Sequence, residues 1–469
     1  MSRHQNLVVY VVGVAAVVGI GSILGRIPDL VPDSAAAAII GAALVAVAAA
    51  VTAVRRTRAN GGFDPFHPLL FPSIYVAVAC LGPTAYIWWT GDGVGVARRA
   101  LLSPQTPQLM ALAAFGFVLG CAAPFARKAR VVAENLDDRL LLLAGRLLMC
   151  SPLLLSSWGY LNDAVRTRGL GQNSVTLVDS VRALNDMLVL AAVLLLLVAR
   201  YRQDKSLLAP PDWLLVGSAI ILSGLNGRRG AALGVMLLIL LFSTLRGRLT
   251  IVRTAAGVFG VLLFAYVVVE YRTAAVGGGG AERPLPLVLL GDLASVSFTT
   301  GVTASVLAGG GFLEGSTIVA GLVRQLPGPL ANALFGPPDD TGAFVFRRIS
   351  GWGSDQEGYG FSLPAEGMLN FGVWGVFLVP LVYGLIIAWL YSRFTPGARG
   401  ATYLAYALAI GTLPFSIRSD VLGAVKSIFY PSLIVAVVLG FAAVAYSWRA
   451  GRSRTGPTLT PVVVRLDHN

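Results

Sequence analysis

The chain has 469 residues, of which 56% are hydrophobic and only 13% charged, with a mean hydropathy of +0.74. Soluble domains carry about 25% charged residues, so this composition excludes an ordinary soluble protein and points to an integral membrane protein. The formal charge of +13 comes from 36 Lys+Arg against 23 Asp+Glu. In a membrane protein such a surplus reads as basic residues retained on one side, not as nucleic-acid binding.

A membrane-crossing helix needs roughly 17–25 apolar residues. In chain order the candidates are Leu7–Leu24, Ala35–Val54, Leu69–Trp89, Leu109–Ala123, Leu140–Trp158 and Leu184–Ala199. Leu7–Leu24 lacks a small-residue cleavage motif after it, so it reads as a retained helix rather than a cleaved signal peptide. Next come two shorter runs, Trp213–Leu225 and Ala231–Leu245, flanking the turn signal Asn226-Gly227; they predict a tight helical hairpin with Arg228 and Arg229 at its tip. Thr254–Val269, Met368–Tyr391, Ala401–Phe415 and Ser427–Trp448 complete the set. The expected architecture is an all-α polytopic membrane protein with about twelve transmembrane helices.

Alternate connections are basic: Arg55–Arg58, Ala126–Arg130, Arg200–Lys205, Leu245–Arg253 and Trp448–Arg454. The positive-inside rule places them in the cytoplasm, with both termini inside and residues 449–469 as a cytoplasmic tail. The remaining connections then face outward. The one large outer loop, 271–366, lies between the ninth and tenth helices. It begins with a Gly277–Gly280 hinge and is expected to hold interfacial helices; its apolar but Ser/Thr/Gly-broken stretch predicts a helix lying on or dipping into the outer interface rather than a full crossing. No internal repeat of fixed period is visible, and residues 1–469 read as a single membrane-embedded domain.

Familiar catalytic signatures are missing, including a phosphate-binding Gly-rich loop, a zinc-binding HExxH and a Gly-x-Ser-x-Gly elbow. Cys80, Cys121 and Cys150 lie in apolar runs and read as packing residues, so neither a disulfide framework nor a metal site is expected. Arg146 lies inside a predicted span, close enough to its cytoplasmic end to snorkel. What stands out is arginine on the outer side: Arg166, Arg168, Arg228, Arg229, Arg347, Arg348 and Arg418. Guanidinium forks match phosphate oxygens, so this set suits a pyrophosphate-linked lipid; lipid-headgroup contact or local ion pairing is the alternative. Glu366 sits at the start of a span. Two readings are open: a helix-start acid favoured by the dipole, or a general base that faces an outer cavity and takes a proton from a sugar hydroxyl. Asn370, one turn on, could orient it or bind a sugar, while Trp352 and Tyr359 could stack on sugar rings or simply line the interface.

Four stretches, taken in order, resemble the Wzy-type O-antigen polymerases, which join oligosaccharide repeat units. They are FDPFHPLLFPSIYVAVACLGP (Phe63–Pro83), LNGRRGAALGVMLLILL (Leu225–Leu241), LPGPLANALFGPP (Leu326–Pro338) and GYGFSLPAEGMLNFGVWG (Gly358–Gly375). The resemblance implies transfer of a growing glycan from undecaprenyl pyrophosphate to the next lipid-linked unit, at the outer leaflet of the cytoplasmic (inner) membrane. It implies no metal or other cofactor, and as partners the lipid-linked oligosaccharide, membrane lipids, a chain-length regulator and a flippase, with no nucleic acid. It assigns Glu366 the catalytic role and Arg228 or Arg229 the hairpin arginine, with Arg166, Arg168, Arg347 and Arg348 supported by position. The related O-antigen ligases rely on an outer-loop His. Here His4, His67 and His468 all fall outside the outward segments, which counts against that reading. A flippase-like transporter is a further alternative, disfavoured by the lack of repeat symmetry and of polar groups at the membrane midplane.

Overall fold

The computed structural model describes residues 31–59, 64–93, 103–123, 125, 136–161, 177–203, 206–225, 229–246, 251–275, 285–326, 328–336, 339–351, 361–394 and 401–452. These residues are helical, with no strand among them. The helices are α1 (Val31–Ala59), α2 (Phe71–Thr90), α3 (Thr106–Cys121), α4 (Asp138–Leu161), α5 (Leu177–Arg202), α6 (Pro210–Leu225), α7 (Arg229–Leu245) and α8 (Ile251–Ala275). They continue with α9 (Leu285–Val306), α10 (Ser316–Val323), α11 (Gly328–Phe335), α12 (Gly342–Ser350), α13 (Leu363–Arg393), α14 (Ala401–Ser416) and α15 (Val421–Arg452).

Leu7–Leu24 lies outside the described residues, and each of the other expected spans falls on a helix. Length and apolarity mark six helices as able to cross a membrane: α1, α2, α8, α9, α13 and α15. Four more, α3, α6, α7 and α14, are apolar but shorter. The protein is therefore a polytopic helical membrane protein, with six clear crossing candidates where the run lengths suggested twelve.

The stretch expected to lie on or dip into the outer interface forms α9, which packs against α2, α3 and α13 inside the bundle. Buried hydroxyls make that seam: Thr84 and Ser297 share a hydrogen bond of 2.6 Å, and Ser362 meets Thr299 at 2.9 Å. The Ser and Thr residues that seemed to break the apolar run are the groups that fasten it to its neighbours. Residues 307–351, within the stretch expected to carry interfacial helices, contain α10, α11 and α12.

One expectation needs correction: it concerns α13, whose helical course breaks at Gly372 (φ 61°, ψ −144°). That conformation is open essentially to glycine alone. Beyond it the chain folds back so that the Gly375 carbonyl abuts the Gly367 backbone, which leaves no room for a side chain at either position. The expected continuous span from Met368 is thus a short half-helix, Leu363–Phe371, followed by a long one, Val373–Arg393. The long part has about 21 residues and is roughly 31 Å long, enough for a hydrocarbon core of about 30 Å. The carbonyls of Leu369 and Asn370, freed at the break, accept from the backbone N–H groups of Leu313 and Glu314 at 3.1 and 3.0 Å. Irregular backbone at such depth is tolerated only where protein satisfies it.

The long part of α13 packs closely on α3. Gly116 faces Phe377 and Gly120 faces Leu381 and Gly384, so the two helices run parallel with their backbones nearly touching. Small residues four apart allow this approach, the usual way helices associate when lipid offers no hydrophobic incentive.

Polar contacts gather in two layers separated by the length of α15. At its C-terminal end Arg449 pairs with Asp137, and nearby Arg202 pairs with Asp138 at 2.7 Å. In the same layer buried Asp212 receives Arg146 at 2.7 Å and Arg200 at 3.0 Å. Arg146, expected to snorkel toward the surface, is committed to a partner on α6. At the N-terminal end of α15, about 40 Å away by helix rise, Val421 donates to Glu366.

Candidate functional site

The second layer forms around the half-helix of α13. Ser362 precedes it in an extended conformation (φ −144°, ψ 150°), and its hydroxyl accepts from the Ala365 N–H at 3.3 Å. Pro364 in the first turn fits, because an N–H there would lack an intrahelical partner. The start therefore uses an ordinary serine cap. Glu366, one position beyond the place for a reciprocal capping box, is released to reach other helices.

Glu366 is 0% exposed. Its Oε1 accepts from the Thr317 hydroxyl at 3.0 Å, and its Oε2 accepts from the Val421 N–H at 2.5 Å. Thr317 lies in the first turn of α10, and Val421 is the first residue of α15. Asp420, also buried, caps α15 conventionally: its Oδ1 accepts from Gly423 N at 2.8 Å. Its Oδ2 reaches the N-terminus of α12 and accepts from Ala343 N at 3.5 Å. Gly342, the first residue of α12, lies so close to Glu366 that a β-carbon there would be 2.9 Å from Oε1.

Four helix N-termini, those of α10, α12, α13 and α15, thus converge on two buried acids. Among the described residues no cation pairs with Glu366. The exposed N–H groups and partial positive charge at the helix starts take that role, and a threonine hydroxyl adds to them. Asn370 completes the cluster. It is 1% exposed, and its side-chain amide donates to Thr317 Oγ1 at 2.7 Å and to the Glu366 carbonyl at 2.8 Å. Because that carbonyl requires a donor, the amide orientation is set, and Asn370 Oδ1 is left without a partner.

The expectation that Glu366 lines an open outer rim is corrected here. Both of its oxygens are engaged and its side chain is enclosed, because the broken helix turns it inward against α10 and α15. Asn370 bonds Thr317 and the Glu366 backbone carbonyl rather than the Glu366 carboxyl group. Arg418 lies in the turn before α15, half-buried, with its Nε donating to Ser295 Oγ of α9 at 3.1 Å. Arg347 and Arg348 are exposed in the last turn of α12, and Arg348 pairs with Asp340 at 3.0 Å. Arg229 begins α7, but its side chain, like all of Arg166, Arg168, Arg228, Trp352 and Tyr359, lies outside the described residues. The structure therefore brings together Glu366, Asn370, Arg418 and the helix bearing Arg347 and Arg348. It adds Asp420, Thr317 and Gly342, which the sequence reading missed. Asp420 had a visible signal: Ser419-Asp420 directly before an apolar run is a helix-start signature. Thr317 and Gly342 had none, since their importance rests on tertiary approach. Among the described residues no group of three or more His, Cys, Asp or Glu side chains could hold a metal ion.

A membrane helical bundle with a broken helix whose start is held by buried acids is the class that fold and site define. Residues 351–447 match the family described as O-antigen polysaccharide polymerase Wzy. The matched segment contains α13, α14, most of α15 and the motif Gly358–Gly375; the other three resembling stretches lie outside it. No curated protein and no solved structure matches the chain.

Proposed function

We propose that the protein polymerises oligosaccharide repeat units linked to undecaprenyl pyrophosphate, at the outer leaflet of the cytoplasmic membrane. The observation that carries this reading is the family match across 351–447, the segment that contributes Glu366, Asn370, Arg418 and Asp420 to one cluster. A sugar hydroxyl of the acceptor unit attacks the anomeric carbon of the donor glycan, forming the new glycosidic C–O bond as the bond to the lipid pyrophosphate breaks. The pyrophosphate leaves with the bonding electron pair, and the hydroxyl proton passes to it or to water. Positioned guanidinium groups stabilise the charge that develops on it. Arg347, Arg348 and Arg418 are the described candidates, and Arg166, Arg168, Arg228 and Arg229 are the remaining ones. Glu366 supports the chemistry by position: it holds the half-helix, α10 and α15 in register. A chain-length regulator and a flippase would work alongside the enzyme.

The test is deletion of the gene followed by gel analysis of surface polysaccharide and of lipid-linked intermediates. The expected result is loss of the long-chain ladder with single repeat units accumulating on the outer face, restored by the wild-type gene. Accumulation on the inner face would make the chain a transporter and overturn the reading.

A further inference from the structure

Resting on the polymerase reading, we propose that Asp420 is a positioning residue that sets the placement of α12, and with it Arg347 and Arg348, against the lipid pyrophosphate. Each oxygen of Asp420 serves a different helix. Oδ1 accepts from Gly423 N within α15 at 2.8 Å, and Oδ2 accepts from Ala343 N of α12 at 3.5 Å. The same α12 start presses against the second acid, Glu366, through Gly342, where even a methyl group would be too close. Nothing covalent joins α12 to α15 locally; they are far apart in sequence and meet through this side chain. The N-terminus of α12 is thereby fixed to the start of α15, while its C-terminal turn presents the exposed Arg347 and Arg348. Rotation or withdrawal of α12 would move both guanidinium groups together. Precise placement matters because stabilising a leaving pyrophosphate depends on where the donors are held, not merely on their presence.

The experiment uses the full-length protein, both in cells lacking their own polymerase and in liposomes with a purified lipid-linked repeat unit. Asp420→Asn retains an oxygen acceptor and is as good a helix cap as aspartate. Ala343→Pro removes only the α12 N–H, in a first helical turn where proline is tolerated. The expected result is a kcat, and with it a kcat/KM, lowered about tenfold by Asp420→Ala and by Ala343→Pro, with the KM for the lipid-linked unit within about twofold of wild type. Asp420→Asn should recover most of the loss, and Arg347→Ala should add little once Asp420 is alanine. The proposal is overturned if Asp420→Asn is as inactive as Asp420→Ala, since the acid itself would then act in the chemistry. It is equally overturned if Ala343→Pro has a wild-type kcat, or if Asp420→Ala is missing from the membrane while Ala343→Pro polymerises normally. Failure of the polymerase reading itself shows differently: the wild-type chain would extend no lipid-linked unit in the liposomes.

Discussion

Asp212 and Glu366 are both completely enclosed carboxyl groups, one in each polar layer, and they are satisfied in opposite ways. Asp212 takes two guanidinium groups, from Arg146 and Arg200, and the Ala209 N–H at 3.3 Å. Glu366 takes a hydroxyl and a helix-start N–H, with three further helix N-termini around it. In the first layer arginines are consumed by the protein's own acids. In the second, helix ends do that work, and the arginines nearby are not drawn onto the two buried acids. The contrast is one of counter-charge: the first acid is neutralised by arginine side chains, and the second is satisfied by a hydroxyl and a helix-start N–H.

The most severe way to break the comparison is Asp212→Ala. It leaves a largely buried Arg200 and its neighbour Arg146 without their counter-charge, and orphaning one member of a buried pair costs about 3–5 kcal/mol. Arg146 is partly exposed, so Arg200 accounts for most of the loss. The variant should fall sharply in membrane abundance and thermal stability, followed by size-exclusion chromatography in detergent. Next comes Glu366→Ala, which leaves the Val421 N–H and the Thr317 hydroxyl buried without an acceptor, at roughly 1–3 kcal/mol. Glu366→Gln sharpens the contrast. It keeps one acceptor oxygen and should retain polymer of near-normal length if Glu366 acts by position. A well-folded Glu366→Gln protein with no ladder would instead show that the acid transfers a proton. Ser362→Ala is milder, at about 1 kcal/mol for a lost helix cap, although the hydroxyl also meets Thr299 and Thr300. Its expected signature is a small drop in melting temperature with the polymer ladder preserved.

Much of this was legible beforehand, and what was not has a physical cause. Apolar run lengths placed a helix at each described span, because lipid demands internally bonded backbone over a fixed thickness. The Ser362 start and the importance of the Gly358–Gly375 region were also readable, and the family match includes that region. The break at Gly372 was not, because a glycine in an apolar run looks the same whether the helix continues or reverses. Glu366 was recognised as unusual but placed on a rim, since a continuous helix would have put it there. Its actual partners, Thr317 and Val421, lie 49 and 55 residues away, and only the tertiary fold brings them near. The α9 seam was not readable for a related reason: hydroxyls that weaken a hydropathy signal are well suited to fastening helices to one another inside a bundle.

The smallest effect on stability should come from the arginines of α12, and there the two layers should separate most cleanly. Arg348 and Asp340 form an ion pair whose side chains are 64% and 35% exposed. Solvent screening and side-chain entropy limit such pairs to about 0–1 kcal/mol, so Arg348→Ala should leave melting temperature and membrane abundance close to wild type. On the proposed reading, in which the guanidinium group serves the leaving pyrophosphate and not the fold, the effect on polymer length should be much larger than that on stability. Arg202→Ala in the opposite layer is the matched control: it removes a 2.7 Å pair with Asp138 from side chains that are only 24% and 25% exposed, and it should cost stability without altering chain length in the protein that remains. Gel ladders normalised to protein level measure both variants on one scale. If Arg348→Ala shortened the polymer only in proportion to lost protein, the two layers would be alike, and the division between structural and ligand-facing arginines would fail.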